Sequence, residues 1–421
     1  MVVPDQNLKN QGIEVVVGDV VRIVADQRQV VLADGSTVSY DKLFLATGAS
    51  PVVPPIEGRD LDGVLTLRGL PCACKIKEAF ATRKPERIVG AGFITLEVAS
   101  LLLAANPENL DVTIVELTDR PLPLMLDGDM AAMVRSHLEE RGLKMLTGER
   151  VERIVGQDGT VTGVVLASGR QLPADLVLMN IGTRPNVELA QDAGLAMSRF
   201  GIKVNCYQET SDPHILAGGD CVEKFHLITG KPVPGQLRGP AVIQGRLEAK
   251  RLAGYAIAFP GVLNAGDCQC FDCVATSTGL TEEEAAKVGF DTVSATVDSR
   301  SEHGMIPGVQ TWRLKLVFNR NNHKLIGGQI VAQAVVSAKA IDTVSALIWG
   351  GKTIEDITPT CAPATRISPR RRAWSRSPSP PSRRCRSWRS SEFRVDHFKG
   401  GALFQTAESV CAFLRIRRYV S

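Results

Sequence analysis

The stretch that restricts this chain most runs from Arg87 to Glu116, RIVGAGFITLEVASLLLAANPENLDVTIVE. Arg87 to Val89 reads as a short apolar strand and Gly90-Ala91-Gly92 as the turn after it. Phe93 to Ala105 is proline-free with apolar residues at helical spacing, and Val112 to Val115 is a second β-branched strand. Strand, glycine turn, helix and strand in that order describe a β-α-β unit of the dinucleotide-binding kind. Gly90 permits the tight turn, and Gly92 lets backbone N–H groups approach a pyrophosphate at the positive end of the helix. Glu116, 26 positions beyond Gly90, stands where a carboxylate accepts hydrogen bonds from ribose hydroxyls and repels a 2′-phosphate, which favours NADH over NADPH. The third glycine of the pattern is Thr95, so the helix is expected to pack slightly farther from the strand.

A length of 421 residues gives room for two or three domains and a sizeable core. No apolar run approaches ~20 residues, and MVVPDQNLKNQG lacks a signal-type apolar stretch, so a cytoplasmic protein with no membrane partner is expected. Ten cysteines without a disulfide-framework spacing fit a reducing compartment. The net charge of +4 conceals two parts: residues 366–394 hold ten arginines against Glu392 and contribute +9, which leaves a mildly acidic remainder of about −5.

Before the glycine turn, IEVVV, VVRIV, QVVLADGSTVSY and KLFLAT between residues 13 and 47 read as a β-meander leading to a final strand, with a hairpin turn at Asp34-Gly35. Pro51, Pro54 and Pro55 stop that strand. After Glu116 the sequence predicts a loop, an amphipathic helix over 131–141, and a second meander from 144 to 181 turning at Asp158-Gly159. The two halves close alike, LFLATGASP against LVLMNIGTRP, which suggests a duplicated architecture with two nucleotide sites.

YDKLFLATGASP, IVGAGFITLE, VTIVE, IGTRPN, TSDPHILAGGDCVE, PAVIQGR, ATSTGLTEEEA, KLVFNRNNHKLIGGQIV and TIEDI together resemble the pyridine nucleotide-disulfide oxidoreductases, the flavoproteins with two dinucleotide sites. Within them the chain looks most like the branch of NADH oxidase, NADH peroxidase and CoA-disulfide reductase. The resemblance implies an α/β fold of two Rossmann-like domains, the FAD one incomplete, plus a C-terminal α+β dimerisation domain, assembled as a homodimer. Its expected boundaries are 1–68 for part of the FAD domain, 69–190 for the NAD domain, 191–261 for the FAD-domain return and 262–364 for the interface domain. It implies FAD and NAD as cofactors and hydride passing from NADH through flavin to oxygen, peroxide or a disulfide. FAD contacts carry over onto Thr47, Gly48, Gly219, Asp220 and Ala241, and NAD contacts onto Gly90, Gly92, Phe93, Ile94, Glu97, Glu116 and Gly182. For Asp220 the chemistry agrees, since a carboxylate after two small residues can accept hydrogen bonds from ribityl hydroxyls. The rival reading is a non-catalytic NAD-binding fragment or a subunit that depends on a partner.

The chain departs from that family in three places. In relatives the FAD unit begins with its own glycine fingerprint, and the redox cysteine lies just beyond. Here no fingerprint precedes Ile13 and no cysteine precedes Cys72, so no cradle for the FAD pyrophosphate and no family nucleophile are expected; no catalytic residue is named. An open sheet edge and poor stability are expected unless another chain supplies the missing unit; a misplaced start codon or a gene fragment would leave the same sequence. Cys361 precedes Ala362-Pro363 where relatives carry an aromatic, as a redox thiol or, preferred, a neutral replacement. From Thr365 the sequence becomes Arg/Ser/Pro-rich and is expected to be disordered over 365–421, a disordered or out-of-frame end being preferred to a nucleic-acid-binding arm.

Cys72-Ala73-Cys74 does not have redox-motif spacing. Cys268, Cys270 and Cys273 lack an evident fourth ligand, so no metal is expected; strand alternation would put the first two on one face and Cys273 on the other. His214, His226, His303 and His323 read as isolated, solvent-facing or satisfied, with His303 the first to mutate.

Overall fold

The computed structural model describes residues 5–105, 108–301, 305 and 307–358; His303, Cys361 and the 365–421 tail lie outside the described residues. At the centre is a five-stranded, wholly parallel sheet in the order Val64–Leu65, Leu176–Met179, Arg87–Ala91, Asp111–Glu116, Lys144–Thr147. Parallel strands are covered on both faces, and here alternation divides the work. Ile88, Val112, Ile114, Leu176 and Leu178 face the helices Phe93–Ala105 and Gly128–Glu140, while Val89, Ala91, Val115, Val177 and Met179 meet a three-stranded antiparallel layer. That layer, Val151–Gln157, Thr160–Leu166 and Gln171–Pro173, turns at Asp158-Gly159, both in the left-handed region at φ 51° and 79° as a tight hairpin demands. The expected second meander is thus divided: its first and last runs belong to the parallel sheet, because a chain must cross back over the sheet to add a parallel strand.

The flanking unit is assembled from two distant stretches. Val20–Val24, Gln29–Leu32 and Thr37–Ser39 form an antiparallel meander, and Leu43–Leu45 pairs in parallel with Ile215–Ala217. Ile13 to Val17 is not a strand: the β-branched run finds no ladder partner among the described residues, and Val17 is 74% exposed. The two echoing segments pair with each other, Ala49–Pro51 antiparallel to Thr183–Pro185, so the duplicated ends meet in space. A helix the sequence reading did not anticipate, Leu70–Arg83, starts with Pro71 in its first turn and carries Cys72 and Cys74 as free thiols.

The C-terminal unit is a five-stranded antiparallel sheet in the order Gly266–Cys270, Cys273–Gly279, Leu325–Ala332, Thr311–Asn319, Thr292–Arg300, backed by helix Ala340–Trp349. Cys270 and Cys273 are cross-strand partners, so Cys273 shares the face of Cys268 and Cys270 rather than the opposite one. The turn at Phe271-Asp272 reverses the chain and restores the side. All three pack into the core beneath the Phe93–Ala105 helix; the contact with Cys270, joined by burial, pushes the Cys268 thiol well above its ordinary value, and burial above all raises that of Cys273. No helix among the described residues is long and apolar enough to cross a membrane.

One buried ionic knot joins the central and C-terminal units. Lys315, 4% exposed, reaches Asp127, Asp129 and Glu282 at 3.3, 2.9 and 2.6 Å, and Gln329 donates to Asp127 at 2.6 Å. Burial opposes charge on Asp129, but the ammonium outweighs it and holds this carboxyl below its ordinary value. K315M strands Asp127 in the interior and is expected to cost about 3–5 kcal/mol in urea unfolding at neutral pH. A depressed carboxylate pKa gives stability that is present above the unfolded value and lost as pH falls through the folded one. The K315M penalty should therefore shrink below about pH 4.

Candidate functional site

Parallel strands that end level with one another release the chain at one edge, and both crevices of this protein lie there. In the central sheet Ala91 is in register with Val115 and Met179, so Gly92, Glu116 and Asn180 emerge side by side. In the flanking unit Leu45 is in register with Ala217, and the Gly218 N–H donates to the Leu45 carbonyl at 3.0 Å. Thr47-Gly48 and Gly219-Asp220 therefore also leave together.

At the first crevice Gly92 has φ +90°, and a Cβ there would come within 2.0 Å of the Asn180 carbonyl, so a side chain is excluded twice over. Gly90 and Thr95 fit as a pair: a Cβ on Gly90 would meet the Thr95 methyl at 2.1 Å. The helix does not simply stand off from the strand at the missing third glycine. Thr95 fills the room that Gly90 leaves, and its hydroxyl donates to the Ala91 carbonyl at 2.8 Å. Glu116 accepts from the Thr118 N–H and hydroxyl at 2.9 and 2.8 Å; both bonds fall on Oε1, so Oε2 keeps its acceptor capacity. Phe93 is exposed and Ile94 half-buried in the first helical turn, and Gly182, at φ +130°, has open space before its Cα. Glu97 lies a turn farther on and looks toward the C-terminal unit, where the Gln269 N–H approaches it at 3.4 Å. Burial above all raises its carboxyl.

At the second crevice Asn186 clamps the Thr47-Gly48 turn. The Thr47 hydroxyl donates to the Asn186 carbonyl at 2.6 Å, the Asn186 amide returns a bond to the Thr47 carbonyl at 2.9 Å, and the Asn186 N–H donates to Gly48. Gly219, at φ +79°, is held from both sides, its N–H by Gln244 at 2.9 Å and its carbonyl by the Lys224 ammonium at 2.7 Å. Lys224 is 1% exposed, and burial lowers its pKa while Asp220 opposes that. Ala241, in the first turn of helix Arg238–Leu252, lies on the side of Gly219 where a Cβ would point, 3.7 Å from where that atom would fall.

Asp220 is the informative residue. Its Oδ2 is paired with Arg68, whose Nε also donates to the Ala49 carbonyl at 3.0 Å, whereas its Oδ1 is buried without a hydrogen-bond partner. An ionised oxygen left in that state costs free energy unless a donor completes it, and a sugar-alcohol hydroxyl has the right chemistry. The residues present therefore fit the polyol part of a flavin nucleotide. Neighbouring Cys221 is buried and its thiol pushed up, so it is no thiolate nucleophile.

Arg68, Asn180, Asn186, Lys224 and Gln244 were missed by sequence reasoning. Asn180 and Lys224 left a faint trace, as polar residues inside apolar or β-type runs; the others left none. His226 is buried rather than solvent-facing, with Nδ1 accepting from the Ile228 N–H at 3.3 Å, Nε2 unpaired and burial lowering its pKa. No group of His, Cys, Asp and Glu among the described residues could hold a metal.

Comparison with known proteins agrees with this geometry. Residues 5–244 match the pyridine nucleotide-disulphide oxidoreductase family model, and 268–372 match that family's dimerisation domain. The NADH oxidase of Methanocaldococcus jannaschii is 37% identical over 322 residues, 76% of this chain and 70% of that protein. The CoA-dependent NAD(P)H sulfur oxidoreductase of Pyrococcus furiosus is 33% identical over 359 residues, 84% of this chain and 79% of that one. The structure of a NAD-dependent persulfide reductase from A. fulgidus superposes with a TM-score of 0.80 at 36% identity, covering 84% of this chain and 66% of that chain. With both nucleotide-type crevices, the antiparallel C-terminal sheet and these likenesses in agreement, the chain belongs to the pyridine nucleotide-disulphide oxidoreductase family.

Proposed function

We propose that this protein is a FAD-dependent NAD(P)H oxidoreductase that takes hydride from NADH and passes electrons to a small acceptor: oxygen, peroxide or a disulfide. The observation that carries the reading is the buried, unpartnered Oδ1 of Asp220 at the carboxyl end of a strand pair, beside a second crevice of dinucleotide type. Flavin, when bound, accepts hydride from the nicotinamide and returns electrons to the acceptor. The protein's own part is placement and electrostatics. Gly92 opens the turn to a pyrophosphate, while Gly90, which lies in the strand rather than in the turn, makes room for Thr95 beneath it; Phe93, Ile94 and Gly182 border the pyrophosphate, and Glu116 accepts from the adenosine ribose and disfavours a 2′-phosphate. Thr47, Gly48, Gly219 and Ala241 border the flavin, and Asp220 accepts from its ribityl chain.

The same reading takes residues 69–190 as the NAD domain, 1–68 and 191–261 as the FAD domain and 262–364 as the surface for a homodimer. The long edge strand Thr292–Arg300, with Val293 and Val297 exposed at 44% and 53%, supports such pairing. A reducing, cytoplasmic setting is supported by ten cysteines without a disulfide-framework spacing.

Purified protein reconstituted with FAD should show flavin absorption that bleaches on anaerobic addition of NADH and returns on admitting air; a flavin that NADH leaves oxidised would end the proposal. E116A should raise the Kd for NADH about tenfold, the size of one or two charge-assisted hydrogen bonds, with the Kd for NADPH changing much less in paired titrations. D220A should weaken FAD at least tenfold, read from quenching of flavin fluorescence, and leave NADH affinity as it is.

A further inference from the structure

Asn180 follows the fully buried strand Leu176–Met179, and its amide interrupts the apolar run LVLMNIG. At 5% exposure an amide must find partners within the protein. The Leu67 N–H, which can only donate, lies 2.7 Å from one side-chain atom and so identifies it as Oδ1. Nδ2 then donates to the Thr95 hydroxyl at 3.1 Å, and Thr95, 0% exposed, passes its own proton to the Ala91 carbonyl. The Asn180 carbonyl meanwhile presses on Gly92, and the Asn180 N–H donates to Ala91 at 3.0 Å. One residue thus braces the glycine turn from three directions. Its fourth contact leads elsewhere, because Leu67 runs directly into Arg68, the residue that ties Ala49 to Asp220 at the other crevice.

We propose that Asn180 is a positioning residue shared by both nucleotide sites. Through Thr95 it fixes the turn that receives NADH, and through the Leu67-Arg68 strap it holds the arginine that orients Asp220 toward flavin. The inference rests on the assignment of the two sites given above. A buried amide bonded on both sides has one satisfied geometry, and each of its two arms orders a different site.

The test titrates the full chain separately with FAD, by fluorescence quenching, and with NADH, by calorimetry. T95V leaves Nδ2 without its acceptor and keeps the Leu67 bond; NADH should weaken about tenfold with FAD within about twofold. R68M should do the reverse. N180A should weaken both, and in an R68M background it should cost NADH affinity as before while adding nothing to the FAD loss. N180S, too short to reach both partners, is read in the same way where N180A does not fold. General damage to the fold would not separate the two ligands. The inference is overturned if N180A or N180S spares either affinity, or if the FAD effect persists in R68M. A wild-type chain that fails to bind FAD or NADH overturns the site assignment and this inference together, whereas wild-type binding without the variant pattern overturns this inference alone.

Discussion

The rest of the structure depends on a close approach of backbone to backbone where the parallel strands end. Gly92 turns against the carbonyl of Asn180 with no room for a single carbon atom between them. That contact sets the height at which the Phe93–Ala105 helix begins, and hence where its free N–H groups point. It also brings the end of the Leu176–Met179 strand over the glycine turn, so the chain leaving that strand passes directly to Gly182 and into the segment that pairs with Ala49–Pro51. A crevice for one nucleotide and the approach to the other follow from one steric fact.

The two buried lysines around that frame are both compensated. Lys315 gathers three carboxylates between the units, and the buried Lys224 ammonium donates to the Gly219 carbonyl beside Asp220. Oδ1 of Asp220 has no such partner, and an incomplete acceptor at the mouth of a crevice marks a place for a ligand rather than a fault in packing. The three clustered cysteines behave in the opposite way. Buried on one face beneath a helix, they serve as small apolar residues.

The threonine at the third fingerprint position is accommodated locally. A threonine at the third fingerprint position would crowd a helix packed on a strand. Gly90 has no side chain to oppose its methyl, and Asn180 and Ala91 take up its hydroxyl, so the hydrogen bonds replace the contact a glycine would have allowed.

The sequence by itself determined the elements whose signal is local. The glycine turn, the Phe93–Ala105 helix, and the left-handed hairpin at Asp158-Gly159 were legible because backbone sterics and helical period act over a few residues. The echo of LFLATGASP in LVLMNIGTRP announced two similar strand ends, but not that they would pair. What only the tertiary structure decided are contacts between residues far apart in the chain: Arg68 with Asp220, Asn180 with Leu67 and Thr95, Asn186 with Thr47, Lys315 with Asp127. Hairpin closure likewise put Cys273 on the face opposite to the one that simple alternation assigns, and the β-branched run at 13–17 stayed outside any sheet for want of a strand to pair with. A hydrogen bond between distant residues has no period to read, because its geometry exists only after the strands have fixed where each end of the chain emerges.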